Sequence, residues 1–176
     1  SFQRRKMGSD GYNPNGGHMR FMLRAIEIAR QSSIVESHGG PFGCVIVDTN
    51  TDQIVAEGYN TVMSSHDPSA HGEMNAIRNA CKKLGTHILD HCVLYTTSEP
   101  CAMCYGATWW SRIQKVFYAS TIQDALTYGN FDDVPLAKAM KEDDGERREL
   151  PCYNMGREEM TKLWLEFQSK PDRAHY

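Results

Sequence analysis

The sequence predicts an α/β domain, a sheet of about five strands with helices between them. Three observations carry that prediction. Short runs of strand-forming residues alternate with helical patterns along the chain, as α/β folds require. Residues Cys44-Val45-Ile46-Val47 form an uninterrupted apolar run, which suits a strand covered on both faces. The two stretches richest in reactive side chains, His71-Gly72-Glu73 and Pro100-Cys101-Ala102-Met103-Cys104, both fall where a helix should begin, the place where α/β sheets collect ligands. At 176 residues the chain can bury the core of one domain without disulfide staples.

Taken in order, residues 1–17 are polar, rich in Gly, Asn and Ser, and lack an apolar period. They read as a flexible arm ahead of a domain spanning 18–176. Met19, Met22, Leu23, Ile26 and Ala29 then recur at three- and four-residue spacing, one face of an amphipathic helix. A Gly-Gly-Pro turn at 39–41 leads into the strand at 44–47, and Asn50-Thr51-Asp52 separates it from a second strand at 53–56. Asn60, just beyond that strand, reads locally as a turn residue. The first site helix covers 73–80, with Met74, Ile77 and Cys81 on one side, and Gly85 marks its stop.

A third strand at 92–97 delivers the chain to Pro100 and the second site helix, which ends at Trp109-Trp110. A fourth strand at 115–119 and a short helix at 122–128 follow, closed by Gly129-Asn130. Phe131-Asp132-Asp133 taken alone is a solvated turn. Residues 138–149 are strongly charged and belong on the surface, and Leu150-Pro151-Cys152-Tyr153 suits a short edge strand, where proline is tolerated. Met160, Leu163, Trp164 and Phe167 lie at i, i+3, i+4 and i+7, so a last helix should bury one face against the sheet or a partner, with Trp164 most simply in the core. The segment 170–176 reads as a tail.

The reactive stretches carry the chemistry. His71, Cys101 and Cys104 offer zinc three ligands and leave a fourth tetrahedral position open, the arrangement of a catalytic rather than a structural zinc. Water on such a metal falls from a pKa near 16 to about 7 and becomes a nucleophile at neutral pH. Glu73, two residues past the histidine, is placed to move protons without coordinating the metal. Positions 101 and 104 lie one turn apart, and a helix amino terminus eases the cost of thiolates there. A lone Cys-x-x-Cys could equally be a redox pair, and His-x-Glu alone is too short to mean anything. The combination separates them: Cys44, Cys81, Cys92 and Cys152 complete no second ligand pair that a structural zinc would want.

The net charge of −3, with no basic cluster larger than Arg4-Arg5-Lys6 or Glu146-Arg147-Arg148, argues against a polynucleotide partner. No signal peptide or membrane-length apolar run is present, so a soluble, reducing, cytoplasmic setting is expected.

Gly40-Pro41-Phe42-Gly43, Asn60, His66 through Glu73 with Ala76-Ile77-Arg78, Glu99 through Cys104, Gly106-Ala107, Trp110 and Gly129 through Asp133 together resemble the cytidine-deaminase-like superfamily. Within it, the Phe-Asp-Asp run and an aromatic chain end are similar to the small bacterial guanine deaminases. The resemblance covers nearly the whole chain from His18. It implies a three-layer α/β/α sandwich around a central mixed sheet, one Zn2+ per subunit, and hydrolysis of guanine, a purine base, to xanthine and ammonia. By the same resemblance, Asn60 hydrogen-bonds the base, Phe42 and Trp110 line the pocket, and Asp133 faces the polar edge of guanine. A homodimer is also implied, domain-swapped so that the C-terminal segment, ending in Tyr176, covers the partner's site. Two departures are Gly72 where alanine is usual and Ala102 where proline is common.

Rival readings share the metal motifs. A tRNA adenosine deaminase would need a basic groove, yet the last helix alternates signs at Arg157-Glu158-Glu159, Lys162 and Glu166. Guanosine, a cytosine-type pyrimidine or an aminated triazine are alternative substrates. A non-catalytic zinc scaffold would have no use for Glu73.

Overall fold

The computed structural model describes residues 17–142, 154, 155 and 157–169. It divides into two compact units, 1–136 and 137–176. In the first unit the order is α1 (His18–Arg30), continued by a π-helical turn at Gln31–Val35, β1 (Gly43–Asp48), β2 (Gln53–Tyr59), the single turn α2 (Val62–Ser65), α3 (Gly72–Leu84), β3 (Cys92–Ser98), α4 (Ala102–Trp110), β4 (Lys115–Ser120) and α5 (Ile122–Gly129). Helix α6 (Val134–Ala139) follows, and α7 (Arg157–Ser169) belongs to the second unit.

Among the described residues the sheet has four strands in the order β2-β1-β3-β4. Strand β1 pairs antiparallel with β2 and with β3, and β3 pairs parallel with β4, so the sheet is mixed. The fifth strand expected at 150–153 lies outside the described residues, as do residues 1–16 of the arm, residues 143–149 and Tyr176.

Alternation along the strands builds the layers. Cys44, Ile46, Cys92 and Leu94 point to one face and pack with Ala76, Ile77 and Ala80 of α3. Val45, Val47, Val93 and Tyr95 point to the other and pack with Phe21, Ala25 and Ile28 of α1. That is the three-layer sandwich, and it explains why β1 is apolar without interruption. Two glycines set the spacing. A Cβ at Gly43 would fall 2.3 Å from the Ala25 carbonyl oxygen, and one at Gly58 would fall 2.3 Å from the Ala76 nitrogen, so both helices lie directly against strand backbone. Through Gly58, the opening turns of α3 are seated on β2.

Three local expectations change. The fully buried face of α3 is Gly72, Glu73, Ala76, Ile77 and Ala80; of the expected stripe, Ile77 is buried, Cys81 packs half-buried against the same core, and Met74 is half-buried. The helix is thereby turned so that a carboxylate faces inward. Helix α6 forms where none was read, because a proline in the first turn loses no hydrogen bond and the Val134 N–H is capped by Asp132 Oδ1 at 3.1 Å. In α7, Trp164 is 60% exposed, with Met160 and Leu163 also exposed, so the expected burial of Trp164 is not found among the described residues. No helix among the described residues is long and apolar enough to cross a membrane.

Candidate active site

Both reactive stretches sit at helix starts. His71 is the N-cap of α3 and Cys101 the N-cap of α4, each with extended backbone, and neither side chain caps its own helix. The imidazole and the thiol turn toward each other instead. His71 Nδ1 lies 3.7 Å from Cys101 Sγ and 3.6 Å from Cys104 Sγ. A tetrahedral zinc with ordinary Zn–N and Zn–S bonds holds such atoms about 3.6 Å apart, so the spacing fits the metal. Among the described residues, no other three His, Cys, Asp or Glu donors come as close as these, which lie within 4.8 Å of one another. The approach to His71 is set by an Asx turn, in which Asp67 Oδ1 accepts the Ser69 N–H at 2.8 Å and the Ser69 hydroxyl at 2.7 Å.

The donor set also has the right protonation chemistry. A hydrogen bond from the Cys104 thiol, reinforced by His71, pushes the Cys101 thiol down to about 4. Cys104 is pushed up by that same pairing, by burial and by Glu73, while its bond to Cys101 raises His71. A divalent cation bound by these sulfurs would favour the deprotonated form of both.

Glu73 is 5% exposed, on the buried face of α3. Its Oε1 accepts the Thr96 hydroxyl at 2.9 Å, and its Oε2 lies 3.5 Å from Cys104 Sγ. Burial, foremost, raises its pKa. Thr96 was not singled out from the sequence. The signal for it was the strand period, since Cys92, Leu94 and Thr96 share a face and Thr96 is the polar member.

Beside these groups lies a cavity of about 300 Å³ lined by Phe42, Asn60, His71, Glu73, Glu99, Cys101, Phe131, Asp132 and Asp133, among others. Asn60 is 6% exposed. Its N–H donates to the Phe42 carbonyl at 2.9 Å and its Oδ1 accepts the Val62 N–H at 3.2 Å, so the side-chain NH2 is what it offers the cavity. The Asn75 amide donates to the Tyr59 carbonyl at 2.8 Å and to the Thr61 hydroxyl at 3.0 Å, pinning the chain on both sides of Asn60. Phe42 and Phe131 meet edge to face, 4.8 Å between centroids.

The Phe131–Asp133 loop is delivered by α5. Glu99 Oε2 accepts the Ile122 N–H at 3.2 Å, tying the Cys-x-x-Cys segment to the start of that helix, and Asn130 ends it in the left-handed conformation. Asp132 gives its Oδ1 to the α6 cap, whereas Asp133 is half-buried with its pKa raised by burial and by Cys101, against the opposing pull of His71. Trp110 is not brought to the cavity. It ends the helix whose opposite terminus holds the two cysteines, is 58% exposed, and lies under the Arg112 guanidinium at 5.9 Å from the ring centroid.

Comparison with known proteins fits this geometry. Residues 16–120 match the profile of the cytidine and deoxycytidylate deaminase zinc-binding region. The chain is 42% identical over 158 residues to the guanine deaminase of Bacillus subtilis, covering 88% of this chain and 98% of that one. The crystal structure of guanine deaminase from that organism superposes with a TM-score of 0.83 at 41% identity, over 90% of this chain and 98% of the other. A tRNA-specific adenosine deaminase of Buchnera aphidicola is 40% identical over 108 residues, covering 61% of this chain and 64% of its own.

Proposed function

The chain belongs to the cytidine and deoxycytidylate deaminase zinc-binding family, and from that premise we propose that it hydrolyses guanine to xanthine and ammonia. The observation that carries the substrate is that Asn60, Asp133 and Glu73 line one small cavity with His71 and Cys101. Guanine offers ring N–H donors beside its exocyclic amine, and an ionised Asp133 is a charge-assisted acceptor for them. Adenine presents an acceptor at N1 and would leave that carboxylate unpaired. The Asn60 NH2 is a donor for acceptors on the imidazole side of the purine, and Phe42 and Phe131 supply apolar walls. At about 300 Å³ the cavity is at the small end for ligand sites, which favours a free base over a nucleoside.

His71, Cys101 and Cys104 would hold the single zinc of each subunit. Bound there, the metal supplies Lewis acidity that makes water a nucleophile at neutral pH. Glu73 does the proton work: it takes a proton from the attacking water, passes it to ring nitrogen N3, and carries the second to the departing amine. A C2–O bond forms, the C2–N bond to the exocyclic amine breaks, and ammonia leaves. Ultraviolet-monitored turnover by zinc-loaded protein, with guanosine, adenine and cytosine beside guanine, tests the reading. Guanine should be converted and the others left. Turnover of guanosine alone, or of none of them, would overturn it.

The same proposal extends to assembly. We take residues 18–176 as the deaminase domain and the protein as a domain-swapped homodimer in which the C-terminal segment, with Tyr176, covers the partner's site. The exposure of Met160, Leu163 and Trp164 along α7 supports this, because an apolar face of that kind calls for a partner surface. Light scattering on the full chain and on a chain ending at residue 156 checks it, the first dimeric and the second not.

A further inference from the structure

We propose that Thr96 is a positioning residue for the reaction, holding the Glu73 carboxylate in the one orientation from which it serves both the attacking water and the departing amine. The inference rests on the guanine-deaminase reading for the identity of the reaction, and on this chain's own geometry for the rest. Thr96 is 1% exposed and Glu73 5%, so the 2.9 Å bond between them is shut away from water. In that setting a charge-assisted hydrogen bond has no solvent competitor and dictates which way the carboxylate faces.

The carboxylate is held at both oxygens. Oε1 receives the Thr96 hydroxyl, and Oε2 lies 3.5 Å from Cys104 Sγ on the metal-ligand side. Beside the backbone N–H of Glu73 itself, Thr96 is the hydroxyl donor that ties this carboxylate to the sheet. Its own placement is rigid: it lies in the centre of the sheet on β3, in register with Cys44 of β1 and Tyr118 of β4, and β-branching restricts its χ1. A helix residue is thereby aimed by a strand, and the rotation of α3 that turns Glu73 inward becomes useful.

The test compares Thr96→Val, which keeps shape and loses the hydroxyl, with Thr96→Ser, which keeps the hydroxyl. Thr96→Val should fold and retain the zinc affinity of the parent, with a melting temperature a few degrees lower because a buried carboxylate oxygen loses its partner, kcat for guanine lower by about 10- to 100-fold, the worth of a hydrogen bond to a charged group, and KM within about twofold. Thr96→Ser should recover most of kcat. Should Thr96→Val fold poorly, Thr96→Ala must show the same kcat loss. Parental kcat in Thr96→Val, or an equal loss in Thr96→Ser, overturns the proposal. A crystal structure of zinc-loaded Thr96→Val gives a second readout independent of substrate, in which the Glu73 carboxyl should have rotated away from its parental position. An unmoved carboxyl would refute the placement, whereas a parent inactive on guanine would refute only the substrate reading.

Discussion

The two halves of the site are built differently. The reacting half, His71, Glu73, Cys101 and Cys104, stands on the first turns of α3 and α4, and apart from the half-exposed His71 it is buried against the sheet. The half proposed to read the base, Phe131, Asp132 and Asp133, hangs on a loop between α5 and α6 and is partly exposed. Groups that make and break bonds tolerate little displacement, so they are placed on packed elements. Groups that choose among bases need only complementary donors and acceptors, and a loop suffices for that. Chemistry and selectivity should accordingly be separable by mutation.

The sharpest separation is expected from Glu73→Gln. The amide can keep the Thr96 hydrogen bond through its oxygen and contributes nothing to zinc binding, so fold and metal content should be unchanged. Without a group able to take and return protons, kcat should fall by about 10²- to 10⁴-fold or more. Metal analysis and steady-state kinetics on one preparation check it. Loss of zinc together with activity would mean that the two halves are not the right division.

Asp133→Asn should strike the other half. Replacing the charged acceptor by an amide removes about 1.5–3 kcal/mol of hydrogen-bond energy, so kcat/KM for guanine should drop by about 10- to 100-fold. Zinc content should stay at the parental level, and discrimination against adenine should narrow because the amide can donate to N1. Paired kinetics on guanine and adenine measure this. An equal loss on both bases would place Asp133 with the chemistry instead.

The same division governs what could be read before the structure was known. The ligand trio, Glu73 and the α/β order were legible because each rests on local spacing: a His-x-Glu and a Cys-x-x-Cys at helix starts, and a strand period around them. Thr96 and Glu99 were not given roles, because their partners, Glu73 and the Ile122 N–H, are each 23 residues away and are reached only through the sheet. Asp132 and Asp133 are equivalent on local sequence, and what separates them is the α6 cap, in a helix that Pro135 hid. Trp110 is a different case. Resemblance assigned it to the pocket, but a helix carries residue 110 to the end remote from Cys101 and Cys104.

The smallest effect probes the approach to the reacting half. Hydrogen bonds from the Ser69 hydroxyl and N–H, with a lesser contribution from Arg78, hold the Asp67 carboxyl below its ordinary value. A carboxyl depressed in the folded chain contributes stability that is present above its unfolded pKa, about 3.9, and is lost as pH falls through the folded value. Asp67→Asn keeps an acceptor oxygen for Ser69 but has no charge to titrate. Parent and variant should therefore differ in melting temperature at pH 6 and converge as pH falls through the low carboxylate range. The side chain is only partly buried, in a surface turn, so the gap should be modest and should shrink further in high salt. A gap that widened toward acid would reverse the sign and show that the Asx turn does not depend on the ionised carboxylate.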